Sequence, residues 1–183
     1  MPVAIPKILV VGLGNLPLPL TRHSLGQLII DSLALRLGIH MSAERSGISG
    51  QGDVVIGETM VSLHLFKSKA LMNVSGPSIA AAFRKTVSSP SSLIVISDSL
   101  SHKVETLHVR LGGSANGHNG VKSIISALGG ESNFYRFRAG IGREGGDAAT
   151  YVMGKVSSHE RQFWDDQGLD LVLSEIEKVA LKG

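Results

Sequence analysis

The chain contains no cysteine. Disulfide scaffolds, cysteine-ligated zinc and cysteine nucleophiles are therefore excluded, and nothing argues for secretion. It also lacks an apolar run long enough to cross a bilayer, which takes about 20 residues; a run such as Leu93-Ile94-Val95-Ile96 has strand length. Seven residues precede the first apolar run, Ile8-Leu9-Val10-Val11, and they carry one lysine, too little for a signal or transit peptide. No internal repeat, low-complexity tract or long linker is visible. There is no Gly-Lys-Ser/Thr phosphate loop. Gly12-Leu13-Gly14 follows an apolar run but lacks the third glycine of a dinucleotide fingerprint, and Pro17 and Pro19 stand where its helix would begin.

What remains is a chain of 183 residues, 43% hydrophobic and 18% charged, which fits one globular domain spanning residues 1–183. A net charge of +3 permits a polyanionic partner without demanding one.

Strand and helix patterns alternate. Lys7–Gly12 reads as a buried strand. Ser24 with Gln27 three residues on has the form of a capping box, and Leu25, Ile29, Leu33 and Leu37 then recur on one helical face. Asp53–Gly57 and Met60–Phe66 read as strands around a Gly57-Glu58 turn, and Pro77–Thr86 as a helix with proline near its first turn. Leu93–Ser97 and Val104–Arg110 are strand-like, Gly117–Leu128 is a helix ending at Gly129-Gly130, and Phe134–Ile141 is a further strand. Leu169, Val172, Leu173, Ile176 and Val179 form the apolar stripe of a last helix. The alternation predicts an α/β domain with a central, mostly parallel sheet flanked by helices. In such sheets ligands sit beyond the carboxyl ends of the strands. The loops expected there hold Asn15, Asn73, Asp98 and Gly112–Asn119.

His23 precedes the first helix, and histidine is the residue type best suited to act as a general base on water near neutral pH. Asp98, closing an apolar strand, can accept an imidazole N–H and favour the charged ring. Four glycines in Gly112–Gly120 imply special dihedrals or a closely approaching ligand. The helix start behind them offers free N–H groups to an anion or a carbonyl, with His118 and Asn119 beside it. Arg110, Lys122, Arg136, Arg138 and Arg143 can together contact phosphate. No serine lies in a nucleophile elbow; Gly112-Gly113-Ser114-Ala115-Asn116 lacks the last glycine.

As an ordered set these motifs resemble the bacterial-type peptidyl-tRNA hydrolase family, from about Lys7 to Lys155. The match comprises Val11-Gly12-Leu13-Gly14-Asn15, Thr21-Arg22-His23, Met72-Asn73-Val74-Ser75-Gly76, Asp98, Gly117-His118-Asn119-Gly120 with Lys122-Ser123-Ile124, and Gly140-Ile141-Gly142-Arg143. The resemblance implies a single-domain α/β fold with a mixed sheet. It implies hydrolysis of the ester joining peptide to tRNA, with no metal or other cofactor and no membrane, by a monomer in the cytoplasm or the mitochondrion. His23 would be the base and Asp98 its orienting partner. Asn15, Asn73 and Asn119 would position peptide, tRNA 3′ end and water, Asn15 or Asn73 donating to the oxyanion. Met72, His118 and Leu18 would touch substrate, and Arg110 and Arg138 would clamp the tRNA 5′ phosphate.

Departures cluster around the expected cleft. Leu18 stands at or near a tyrosine position, Ser24 where the family has asparagine, and Glu144 where it has proline. The loop after Asp98 reads Ser99-Leu100-Ser101-His102-Lys103 without the usual Pro-Gly. Such departures fit a divergent eukaryotic member, fungal or organellar. They also leave a second reading, a non-catalytic RNA-binding protein of splicing type on the same fold. Retention of His23, Asp98 and the three asparagines argues for the enzyme, since binding alone requires no base–carboxylate pair.

Overall fold

The run Ile8–Val11 is fully buried because it forms the middle of the sheet, with helices on both faces. The computed structural model describes residues 4–183; the first three of the seven residues before that run lie outside the described ones. Seven strands follow in chain order: β1 (Lys7–Gly12), β2 (Ser42–Ala43), β3 (Gly47–Ile56), β4 (Thr59–Ser68), β5 (Leu93–Ser99), β6 (Leu107–Leu111) and β7 (Tyr135–Gly140). Their spatial order is β2-β3-β4-β1-β5-β7-β6. The centre, β4-β1-β5-β7, is parallel. The edges are antiparallel, β3 and β2 on one side and β6 on the other, so the single-domain α/β sheet is mixed.

Among the described residues six α-helices surround it: α1 (Leu25–Leu37), α2 (Gly76–Thr86), α3 (Asn119–Ala127), α4 (Ala148–Val152), α5 (Ser158–Asp165) and α6 (Gln167–Lys182). Alternation along β1 sorts the core into two. Ile8 and Val10 join Leu25, Ile29 and Leu33 of α1 and Val172 and Ile176 of α6. Leu9 and Val11 join Ile79 of α2 and Val121 and Ile124 of α3 on the opposite face. Among the described residues no helix is long and apolar enough to cross a membrane.

The apolar stripes of α1 and α6 are buried as their periodicity requires. Three expectations change. β3 starts six residues before Asp53, because pairing with β4 overrides the weak strand propensity of Gly50 and Gly52. β6 begins at Leu107 rather than Val104, since Glu105 takes a left-handed φ of 58° that no strand tolerates. Ser24 makes no capping bond at α1. Its hydroxyl is instead drawn to the backbone of Asn15, and the Gln27 amide to Gly14 O and Ser68 O.

The Gly12-Leu13-Gly14 pair is explained by packing. A Cβ on Gly12 would lie 2.2 Å from Gly26 O, and one on Gly26 2.2 Å from Ile96 O. Strand and helix therefore approach more closely than any side chain permits.

Candidate active site

Because β1, β4, β5 and β7 are parallel, their carboxyl ends share one edge, and three exit loops meet there. The loop after β1 is stapled to its neighbours. Asn15 N–H donates to Ser24 Oγ at 2.9 Å, and Asn15 Oδ1 accepts from Met72 N–H at 2.7 Å. Asn15 is 8% exposed, so its amide orientation is fixed by a buried bond, with Oδ1 committed and Nδ2 on the other side.

His23 sits in a single 3-10 turn, Arg22–Ser24, just before α1. Arg22 anchors that turn: its guanidinium stacks 4.2 Å over the Tyr151 ring and donates to Tyr151 O at 3.1 Å. Asp98, at the end of β5, is 5% exposed and receives two imidazoles. His23 Nδ1 lies 3.1 and 3.0 Å from its two oxygens, and His118 Nε2 lies 2.9 Å from Oδ1.

The His118 tautomer follows from its other nitrogen. His118 caps α3, and its Nδ1 accepts from Gly120 N–H at 3.1 Å and Val121 N–H at 3.4 Å. An accepting Nδ1 carries no proton, so Nε2–H donates to Asp98. Burial would push the Asp98 carboxyl up, but the bonds from His118 and His23 outweigh it and hold the group below its ordinary range. Asp98 is therefore an anion accepting two N–H bonds. His23 donates through Nδ1, and its Nε2 is left to act on a substrate or water.

His23, Asp98 and His118 place ligand-type atoms within 4.8 Å of one another. This is a donor set for a divalent cation. A cation there would compete for the same atoms that fix His23.

The loop 112–118 arrives unexpectedly. β6 is antiparallel to β7, so the loop leaves from the edge opposite Asp98, with Gly112 N–H bonded to Phe134 O. It then runs back along the sheet face to deliver His118. Arg136 pins it midway, donating from a terminal nitrogen to Ser114 O at 2.9 Å. The helix start it leads into does not offer free N–H groups at Gly120 and Val121, because the His118 ring has taken them. Ser114 Oγ donates to Asn116, away from any histidine.

The β6–β7 register puts Arg110 opposite Arg136 and His108 opposite Arg138. Alternate residues share a face, so three guanidiniums line one strip of sheet. None of the three makes an ion pair among the described residues. Arg136 is 4% exposed, and burial, with Arg138 and Arg110 beside it, lowers its pKa to about 10.

A cavity of about 440 Å³ joins the two halves. His23, Asp98, His118, Asn119, Arg136 and Arg138 line it, as do His102 of the loop after Asp98 and Ala148, Val152 and Met153 around α4. Asn15, Met72, Asn73, Leu18 and Arg110 lie outside that lining. Met72 is 4% exposed and packs in the α2/α3 core, where a Cβ on Gly120 would meet its sulfur at 2.4 Å; it lies beneath the site. Asn73 is exposed in the turn after β4, and Leu18 is 45% exposed beside the Thr21 turn. Sequence reasoning missed α4 and the His102–His108 contact. It also placed His118 only against substrate, whereas a histidine directly before a helix start was the signal for a cap.

The family model described as peptidyl-tRNA hydrolase matches residues 9–183. A peptidyl-tRNA hydrolase of Mycobacterium ulcerans is 41% identical over 160 residues, which are 84% of this chain and 81% of the relative. One from Syntrophotalea carbinolica is 37% identical over 164 residues, 86% and 83% of the two chains. The crystal structure of peptidyl-tRNA hydrolase from Acinetobacter baumannii superposes with a TM-score of 0.83 at 28% identity, covering 99% of this chain and 92% of that one.

Proposed function

The chain belongs to the peptidyl-tRNA hydrolase family, and it hydrolyses the ester bond of peptidyl-tRNA; from that premise we infer how its residues divide the work. The observation that carries the reading is the His23–Asp98 bond, with the proton on Nδ1 and Nε2 left over. His23 Nε2 takes a proton from water, which attacks the ester carbonyl. Asp98 stabilises the imidazolium that forms, and His118 holds Asp98 in place. No acyl-enzyme is required.

Asn15 Oδ1 is committed to Met72 N–H, which supports Nδ2 as the donor to the developing oxyanion, a contribution of ~3 kcal/mol to the barrier. Asn73, exposed beside it, and Asn119, at the cavity wall, position the tRNA 3′ end and the peptide. Met72 supports that region from below, and Leu18 offers an exposed apolar contact at its rim. Arg110 and Arg138 bind the 5′ phosphate, the absence of carboxylate partners leaving their charge available. In this reading the enzyme uses no metal and works as a monomer, in the cytoplasm or the mitochondrion. The relatives named as hydrolases give the non-catalytic RNA-binding alternative no support.

The test is release of N-acetylated aminoacyl groups from tRNA, with EDTA present. The wild type releases them, and His23→Ala loses roughly 10²–10⁴-fold in turnover, the span of general-base catalysis, while tRNA binding survives. Near-normal release by that variant would remove His23 from the mechanism.

A further inference from the structure

The loop after Asp98, one of the places where the sequence departs from its family, sets His102 against His108 of β6. Their ring centroids are 3.8 Å apart and their planes 20° apart. Ser99 Oγ and His102 Nδ1 are hydrogen-bonded at 2.7 Å. His108 lies opposite Arg138 in the β6–β7 ladder, so both rings join the strip that carries Arg110, Arg136 and Arg138. Lys103 follows His102 and adds a further cation.

Among the described residues no carboxylate pairs with His102, His108 or the three arginines. Asp98 is taken by His23 and His118, and Glu105 is turned to His159 on α5. Burial, then His108 and Arg138, hold the His102 ring below its ordinary pKa. Rings stacked this closely repel when both are charged. A phosphate brought to the strip would reverse the balance, because its negative charge favours the protonated rings.

We propose that His102 and His108, stacked beside Arg138, form a pH-responsive site for a tRNA phosphate, the pair taking up a proton when the phosphate arrives. The proposal rests on the arginine clamp described above and extends it. The shared chemistry is a phosphate oxygen, supplied either by the 5′-terminal phosphate or by an internal phosphodiester. The proton comes from solvent, so binding takes up protons, and affinity rises as pH falls.

The experiment measures the dissociation constant of deacylated tRNA against salt at acidic and at alkaline pH. For the wild type the slope of log K against log salt steepens by about one at acidic pH, one more phosphate contact. In the double variant His102→Gln/His108→Gln that increment disappears. His108→Lys, which carries a fixed charge at an exposed strand position, shows the steep slope at both pH values. His23 and His118 are present in every protein compared, so only the difference between wild type and variant is read. An increment lost on removing the 5′ phosphate assigns the site to the terminal phosphate; one retained assigns it to an internal phosphodiester. Equal pH dependence in wild type and double variant would overturn the proposal and leave the stacked pair as loop packing. Unchanged tRNA affinity of Arg138→Ala at alkaline pH would overturn the clamp, and this proposal with it.

Discussion

Replacing Asp98 by asparagine keeps the shape of the side chain and changes two things at once. The first is charge. At an effective dielectric of about 20, an imidazolium and a carboxylate ~4 Å apart attract by ~4 kcal/mol, about a thousandfold in rate. The second is direction, and the structure fixes it. His118 Nδ1 must accept from Gly120 and Val121, so His118 Nε2–H claims the amide oxygen of the new asparagine at the Oδ1 position. The amide NH₂ then occupies the Oδ2 position, 3.0 Å from His23 Nδ1. His23 has to accept there, which moves its proton to Nε2, the nitrogen that should act as base. The expected loss in kcat is therefore on the order of 10³–10⁴ with little change in KM, comparable to the wrong-tautomer effect in serine proteases. Single-turnover release from N-acetylated aminoacyl-tRNA reads the rate, and ¹⁵N shifts of the His23 ring read the tautomer. A variant within tenfold of wild type, or a His23 ring still protonated at Nδ1, would refute the reasoning.

Three further outcomes are expected. The depressed Asp98 carboxyl contributes stability that is fully present above its unfolded value near ~3.9 and is lost as pH falls through the lower folded value; chemical denaturation in acid should show that loss in wild type and its absence in Asp98→Asn. Asn15→Ala leaves the buried Met72 N–H without an acceptor, at a cost of roughly 1–3 kcal/mol, read as a lowered urea midpoint; an unchanged midpoint would mean water replaces the amide. Gly12→Ala forces a methyl to within 2.2 Å of Gly26 O, a backbone atom of α1 that cannot swing aside as a side chain could, so destabilisation of at least ~1–3 kcal/mol is expected; an unaltered melting temperature would show that α1 can shift away.

That His23 would meet Asp98 was legible because it rests on a local rule. His23, Asp98 and Asn15 follow strands, and strand ends of a parallel sheet share an edge. The stripes of α1 and α6 were legible from period alone. Short α4 and α5 were not, because a helix of five or eight residues leaves too few turns for a period to emerge.

Sequence by itself determined the long periodic helices, the central strands and which residue types reach the cleft edge. Tertiary structure decided what those residues bond to. Ser24 and Gln27 match a capping box, yet their hydrogen bonds go to the buried backbone after β1 and at the end of β4. His118 comes from a loop that starts at the far edge of the sheet, and only the antiparallel pairing of β6 with β7 carries it back to Asp98. The same pairing brings Arg110, Arg136 and Arg138 onto one strip, 26 to 28 residues apart in the chain at the widest. Register between strands is a long-range property: it is set by which backbones hydrogen-bond, and no window along the sequence contains it.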